Sequence, residues 1–280
     1  MNIQWFPGHM TKAFRMMEEN IKLVDILIYV LDSRAPYSCI NPKLNELVKD
    51  KPILYILNKS DIADDRLTKE FINYFSKTGE VVSIIGNDSK FRDQILKKIK
   101  LISKPISDKY KAKGINRPIR AMVVGVPNCG KSTIINLLSK EKRANVGDKP
   151  GVTKGKQWIR LESSLELLDT PGTLWGKFED QDLALNLALI GSINDDILDK
   201  NELSIELIKK LKENYLNEFL TRYKIESFED PKDAIEKICK KRGFILKGNE
   251  LDYDRCSSTL IEEFRKGKIG KITLDKVPNK

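Results

Sequence analysis

The run Ala121-Met-Val-Val-Gly-Val-Pro-Asn-Cys-Gly-Lys-Ser132 sets an apolar stretch of strand length directly before Gly125-x-x-x-x-Gly130-Lys131-Ser132. The second half fits G-x-x-x-x-G-K-[ST], a turn whose backbone N–H groups wrap a polyphosphate. Residues 132–138 can open a helix behind it, which adds the positive end of a helix dipole. On this reading Asn128, Cys129, Gly130, Lys131, Ser132 and Thr133 hold phosphate. Lys131 reaches the β- and γ-phosphates, and Ser132 ligates Mg²⁺. A strand, a phosphate turn and a helix in succession point to an α/β fold.

The rest of the chain agrees with that class. Short apolar runs at Ile26–Leu31, Ile53–Leu57 and Val81–Ile85 are separated by helical or polar segments, the pattern of a mostly parallel sheet covered by helices on both faces. Phe14, Met17, Ile21 and Val24 recur at helical spacing, so residues 11–23 read as an amphipathic helix. Ile159–Leu161 and Leu165–Leu168 suggest a hairpin. Beyond Asp180 only helical stripes remain, around Leu207/Ile208/Leu211/Tyr215/Phe219, Ile235/Ile238 and Leu260/Ile261/Phe264. The expected organisation is a nucleotide-binding domain over 1–178 and a small all-helical domain over 179–280.

Charge and cysteine content narrow the function classes. The chain of 280 residues carries a formal charge of +10. Residues 91–160 contain 18 basic and 4 acidic side chains, whereas residues 180–280 contain 19 and 20. A concentrated basic stretch suits polyanions, nucleic acid foremost. The four cysteines (Cys39, Cys129, Cys239, Cys256) are scattered and only one histidine is present, which argues against a zinc module or a disulfide scaffold. No apolar run has the length of a membrane span, and a cytoplasmic protein is expected.

Two further motifs gain meaning from their settings. Asp169-Thr-Pro-Gly172 ends the apolar run Leu165–Leu168, where a carboxylate can hold Mg²⁺ and Gly172 can offer its N–H to a γ-phosphate. Thr153 could complete the metal shell. Asn58-Lys59-Ser60-Asp61 follows the strand Ile53–Leu57. There an Asp carboxylate can accept from both N1–H and the exocyclic amine of guanine, which adenine cannot match. Gly86 and Asn87, after the next strand, would close over the base. These are the parts of a GTPase in an altered order, since N-K-x-D ordinarily follows D-x-x-G and here precedes the phosphate turn. Either Asn58–Asp61 is accidental or the domain is circularly permuted, with the polar stretch Lys104–Arg117 as the joint between the old termini. Beside a GTPase that acts on nucleic acid stand a GTP switch with a protein partner and a phosphate-loop small-molecule kinase; the kinase leaves Asn58–Asp61 and Asp169–Gly172 unexplained.

The permuted order, the opening Trp5-Phe-Pro-Gly-His-Met10, the strand end Leu31-Asp-Ser-Arg-Ala-Pro36 and Asp169-Thr-Pro-Gly172 followed by Trp175 together resemble the YlqF/RbgA family of circularly permuted ribosome biogenesis GTPases. The resemblance implies a GTPase using GTP/GDP and Mg²⁺ in late maturation of the large ribosomal subunit. It also implies that residues 179–280 bind rRNA. Because Asp169–Gly172 runs on toward the helical region through Leu174 and Phe178, a γ-phosphate contact at Gly172 is expected to favour docking with GTP bound, and hydrolysis to release the protein. A monomer without membrane attachment is expected. The resemblance gives a catalytic role to His9, and it associates Asn128 with K⁺ between the phosphates. If the cut falls after Asp169–Gly172, the helix over 11–23 takes the place behind switch two and brings His9 toward the γ-phosphate. Thr173 departs from the aliphatic residue usual in the family.

Overall fold

A computed structural model describes residues 3, 8–48, 50–139, 157–162, 164–174 and 178–278. The chain runs α1 (Gly8–Ile21), β1 (Ile26–Asp32), α2 (Pro42–Leu47), β2 (Ile53–Asn58), α3 (Asp65–Phe75), β3 (Glu80–Ser83), α4 (Phe91–Ala112), β4 (Ile119–Val124), α5 (Lys131–Ser139), β5 (Gln157–Glu162) and β6 (Leu165–Asp169). Five helices follow: α6 (Gln181–Leu189), α7 (Lys200–Asn214), α8 (Leu216–Tyr223), α9 (Pro231–Arg242) and α10 (Tyr253–Arg265).

The six strands form one sheet in the order β3-β2-β1-β4-β6-β5. All pairings are parallel except β5 with β6, the expected hairpin. Every residue of β1 and of β2 is buried, so these strands read as unbroken apolar runs rather than alternating ones. From β1 the chain moves outward to β2 and β3, then returns across the sheet through α4 to β4 and moves the other way. Right-handed crossovers therefore put α3 and α4 on opposite faces. The direction reverses between β1 and β4, and the carboxyl ends flanking such a switch point are where open α/β sheets bind ligands.

Starting at β4 and closing the chain from β6 to α1 restores the usual GTPase sequence of phosphate turn, D-x-x-G and N-K-x-D on the same sheet. The domain is circularly permuted. The joint is shorter than expected, because residues 104–112 are the last turns of α4 and only 113–118 connect to β4. Pro105 lies inside that helix. Its missing N–H leaves the Leu101 carbonyl without a helical donor. Leu101 is on the solvent face, 56% exposed, where water can replace the donor. The first helix begins three residues earlier than its apolar spacing suggests, and β3 ends two residues before Ile85.

The helical region is held by capped ends. Asp180, Asp199 and Asp230 accept from backbone N–H groups of the first turns of α6, α7 and α9. Tyr215 breaks what reads as one stripe into α7 and α8. Residues 266–278 then run back across the sheet domain. Leu274 N–H donates to the Arg34 carbonyl (2.7 Å), and the Ser38 hydroxyl and the Asn186 amide both donate to buried Asp275.

Candidate functional site

The phosphate turn leaves β4 at Gly125 and enters α5 at Lys131. It is wound by Asn128 at φ 60° and Gly130 at φ 102°, both in the left-handed region. Gly130 is required twice, since a Cβ there would also collide with the Asn58 amide. That contact joins the two halves of the site. The Asn58 Nδ2 donates to the Cys129 carbonyl (2.9 Å), and Lys59 Nζ donates to the Asn128 carbonyl (2.9 Å). On its other side Asn58 lies against Gly86, where a Cβ would come within 2.7 Å of Oδ1. The Asn58–Asp61 tetrapeptide, the turn that carries Gly86 and Asn87, and the Gly125–Ser132 turn thus share one cleft. Asp61 and Asn87 are exposed at its edge.

Lys131 is buried, and its ammonium donates to the carbonyls of Gly125 (3.1 Å) and Val126 (2.8 Å). A Cβ on Gly172 would stand 2.8 Å from that ammonium and from Pro127. The Asp169–Gly172 segment, switch two, therefore lies flat against the Gly125–Ser132 turn, with Gly172 beside the Lys131 ammonium. Ser132 and Thr133 occupy the first turn of α5. Thr153 and Trp175 lie outside the described residues, as does the side chain of His9, whose backbone belongs to the first turn of α1.

Asp169 ends β6 opposite Val123, buried, with Oδ1 lacking any hydrogen-bond partner. Burial raises its pKa to about 6, against the opposing pull of Lys131 and of a backbone N–H at Thr170. An orphaned buried carboxylate oxygen beside the phosphate lysine fits a divalent cation. Among the described residues no three His, Cys, Asp or Glu side chains cluster around a metal position. Such an ion would take most of its shell from phosphates and water, as Mg²⁺ commonly does.

A stability prediction follows from Asp169. Its folded pKa lies above its ordinary value of 3.8, so the folded state holds the proton more tightly, and stability is lost as pH rises through about 6. In metal-free buffer at pH 8, Asp169→Asn should stabilise the fold by roughly 1–3 kcal/mol. The gain should shrink as pH falls and vanish below the ordinary carboxylate range. Urea unfolding of both proteins across that pH series checks it; a difference that does not vary with pH would separate Asp169 from this effect.

Thr173, the departure from the family pattern, is buried. Its N–H donates to the Gly125 carbonyl (3.3 Å) and its hydroxyl faces Met17 Sδ at 3.8 Å. The hydroxyl thus makes a contact inside the fold, and α1 does pack behind switch two.

Two features have roles that motif reading did not assign, although Asp32 and Arg34 lie in the Leu31–Pro36 strand end that marks the family. Asp32, at the end of β1, is buried and grips Arg34 through both oxygens (2.9 and 2.7 Å) while pairing with Lys59 (2.9 Å). Burial alone would raise its pKa, but the two cations outweigh that and hold it well below the usual carboxylate range. Arg34 in turn donates to the Arg265 carbonyl (3.0 Å). Secondly, the segment after α6 touches the phosphate turn directly. Asn128 Nδ2 donates to the Gly191 carbonyl (2.7 Å) and the Ser192 hydroxyl to the Pro127 carbonyl (2.8 Å). The charges of Asp32 and Arg34 at the end of a wholly apolar strand were the available signal for the first; nothing local marked the second.

Comparison with known proteins agrees with this geometry. The family model described as "50S ribosome-binding GTPase" matches residues 120–233, beginning at β4. Ribosome biogenesis GTPase A of Bacillus cereus is 44% identical over 278 residues, covering 98% of this chain and 94% of that protein. Its counterpart from Thermotoga maritima is 33% identical over 274 residues, covering 98% and 94%. Among solved structures, GDP-bound YlqF of T. maritima superposes with a TM-score of 0.69 at 29% identity, covering 94% of this chain and 99% of that one. The GNP-bound form gives 0.66 at 29% identity, covering 95% and 98%.

Proposed function

The chain belongs to the ribosome biogenesis GTPase A (YlqF/RbgA) family and is a GTPase of ribosome assembly, and from that premise we propose that it acts late in maturation of the large ribosomal subunit, docking on rRNA with GTP bound and leaving on hydrolysis. The observation that carries the nucleotide half of this reading is the Asn58 amide lodged between Gly130 and Gly86, which puts the guanine-reading tetrapeptide on the phosphate turn.

In this mechanism Asp61 accepts the two guanine donors. Asn58 and Lys59 hold the base-binding loop on the phosphate turn, and Asn87 covers the edge of the base. The N–H groups of Asn128 through Thr133 receive the phosphates, and Lys131 exchanges its two carbonyl partners for β- and γ-oxygens. Ser132, Asp169 and Thr153 would hold Mg²⁺, which neutralises charge developing on the phosphates. Asn128 would place K⁺ beside them. Gly172 donates to the γ-phosphate, and His9, carried by α1, orients the attacking water. No described helix is long and apolar enough to cross a membrane. A monomer acting in the cytoplasm suits the reading.

Hydrolysis can reach the helical region by two routes. One is the chain itself, from Gly172 through Leu174 and Phe178 into α6. The other is the pair of hydrogen bonds from residues 191–192 to the phosphate turn. A turn that shifts as the γ-phosphate leaves would pull on both.

The test is GTP hydrolysis with and without purified large subunits, in K⁺ and in Na⁺. Subunits should accelerate the reaction, and Na⁺ should slow it. No acceleration together with no comigration in a low-salt gradient, even with a GTP analogue, would favour a protein partner instead. His9→Ala should retain nucleotide affinity and lose about 10²–10⁴-fold of the stimulated rate, the usual range for one positioned proton-handling group. An unchanged rate would relieve His9 of the role.

A further inference from the structure

The whole positive surplus of this chain falls in residues 91–160, since residues 1–90 carry 12 basic and 12 acidic side chains and residues 180–280 carry 19 and 20. A lysine-rich composition would raise lysine throughout, so the surplus is positional. Its longest described element is α4, which holds seven basic and two acidic residues along Phe91–Ala112.

The helix sorts them. Ile95, Leu96, Ile99 and Ser103 are buried against the sheet domain. Lys97, Lys100, Lys104 and Lys111 are all exposed. At 3.6 residues per turn these four lie within an arc of about 60° and span about 21 Å of helix axis. Of the two acids, Asp108 is neutralised by Lys104 (2.6 Å) and Asp93 lies by Arg92 (3.5 Å). Lys98, off this strip, is committed to Glu80. Asp93 falls within the same arc one turn before Lys97, and Lys104 shares its charge with Asp108, so the strip carries a net positive excess along a rigid helix.

We propose that the exposed face of α4 is a phosphodiester-binding strip, so that the GTPase domain, and not the charge-balanced helical region alone, grips the RNA backbone. Duplex nucleic acid presents a charge about every 1.7 Å of its axis, so every rung has a phosphate within reach. Lysine point charges on a smooth helix read no base edges, and the contact is independent of sequence. The strip would supply attraction while other surfaces select the site. The inference rests on the reading that this chain works on ribosomal RNA.

The experiment uses the full chain and two probes: a fluorescent RNA hairpin with a 20-base-pair stem of arbitrary sequence, and purified large subunits. Replacing Lys97, Lys100, Lys104 and Lys111 together by Gln should weaken hairpin binding at least tenfold at low salt. It should also reduce the slope of log K against log[salt] by about 3.6, at about 0.9 for each of the four lost phosphate contacts. Basal GTP hydrolysis and thermal unfolding should not change, because the four side chains are exposed, the Lys104–Asp108 pair is a surface pair, and none of the four belongs to the proposed nucleotide site. The four-Arg variant should bind like the original. An unchanged slope and affinity in the Gln variant would overturn the strip. So would hairpin binding unaffected while subunit binding falls, which would point to an acidic protein surface as the partner. Wild-type protein that comigrates with subunits but ignores the hairpin would sink the strip and leave the assembly role standing; failure with both probes would sink both.

Discussion

Asp61→Asn should lower GTP affinity by about 10²–10³-fold and raise affinity for xanthosine triphosphate, with ATP binding weak in both proteins. The guanine N1–H and exocyclic amine are paired donors, and a carboxylate accepts from both. An amide presents one acceptor and one donor, so one guanine donor meets another donor. Xanthine carries a carbonyl in place of the amine, and the amide then fits. Sites that recognise a base through such pairs lose about 10⁴-fold or more when the match fails inside a dry pocket. The smaller figure reflects the exposure of Asp61 at the edge of the cleft, where water softens the mismatch. Its carboxylate has no hydrogen-bond partner among the described residues, so the substitution should leave the fold unchanged. Fluorescent-nucleotide titration with all three triphosphates decides it. A GTP loss under tenfold without a gain for xanthosine triphosphate would remove Asp61 from the base site, and equal binding of GTP and ATP by the wild type would revive the kinase reading.

What could be read from the sequence divides by the range of the physics involved. The phosphate turn is local: Gly130 must adopt a positive φ, and its neighbours must donate N–H groups, so the requirement is written in eight consecutive residues. β1 and β2 were legible because strands buried on both faces leave no polar alternation. The permuted order was legible too, because each motif sits at the end of its own strand whatever the order of the strands. Longer-range features were not. That Gly86 and Gly130 flank one asparagine side chain depends on three strand ends meeting. Pro105 reads as a helix breaker, yet α4 continues through it because the orphaned carbonyl faces water. Arg34 marks the family as a motif, but its burial depends on the Ile190 and Arg265 carbonyls meeting it from far along the chain.

That burial makes Arg34→Ala the substitution with the largest expected effect on stability. Arg34 and Asp32 are each about 1% exposed or less, and the guanidinium meets the carboxylate in a two-pronged pair. Removing it leaves Asp32 charged and buried with only Lys59, whose side chain is 29% exposed and therefore partly screened. It also strips a donor from the Arg265 carbonyl and removes the cation lying 5.6 Å from the Phe264 ring. Breaking one side of a buried ion pair costs about 3–5 kcal/mol, most of it the charge left behind. Urea unfolding at neutral pH should show that loss. Arg34→Lys should recover only part of it, since an ammonium cannot make the parallel bonds. Asp32→Asn on top of Arg34→Ala should recover part as well, because it removes the stranded charge. The pH dependence has a definite sign. In the wild type the depressed pKa of Asp32 contributes stability above its ordinary range that is lost as acid protonates it, and in Arg34→Ala that contribution should largely disappear. Because Lys59 belongs to the tetrapeptide proposed to read guanine, and the Arg265 carbonyl to the helical region, the variant should also weaken GTP binding and loosen α10 from the sheet domain, measurable as faster amide exchange in residues 260–275. A loss below 1 kcal/mol with exchange unchanged would mean that the Asp32–Arg34 pair contributes packing alone and does not tie the base site to the helices.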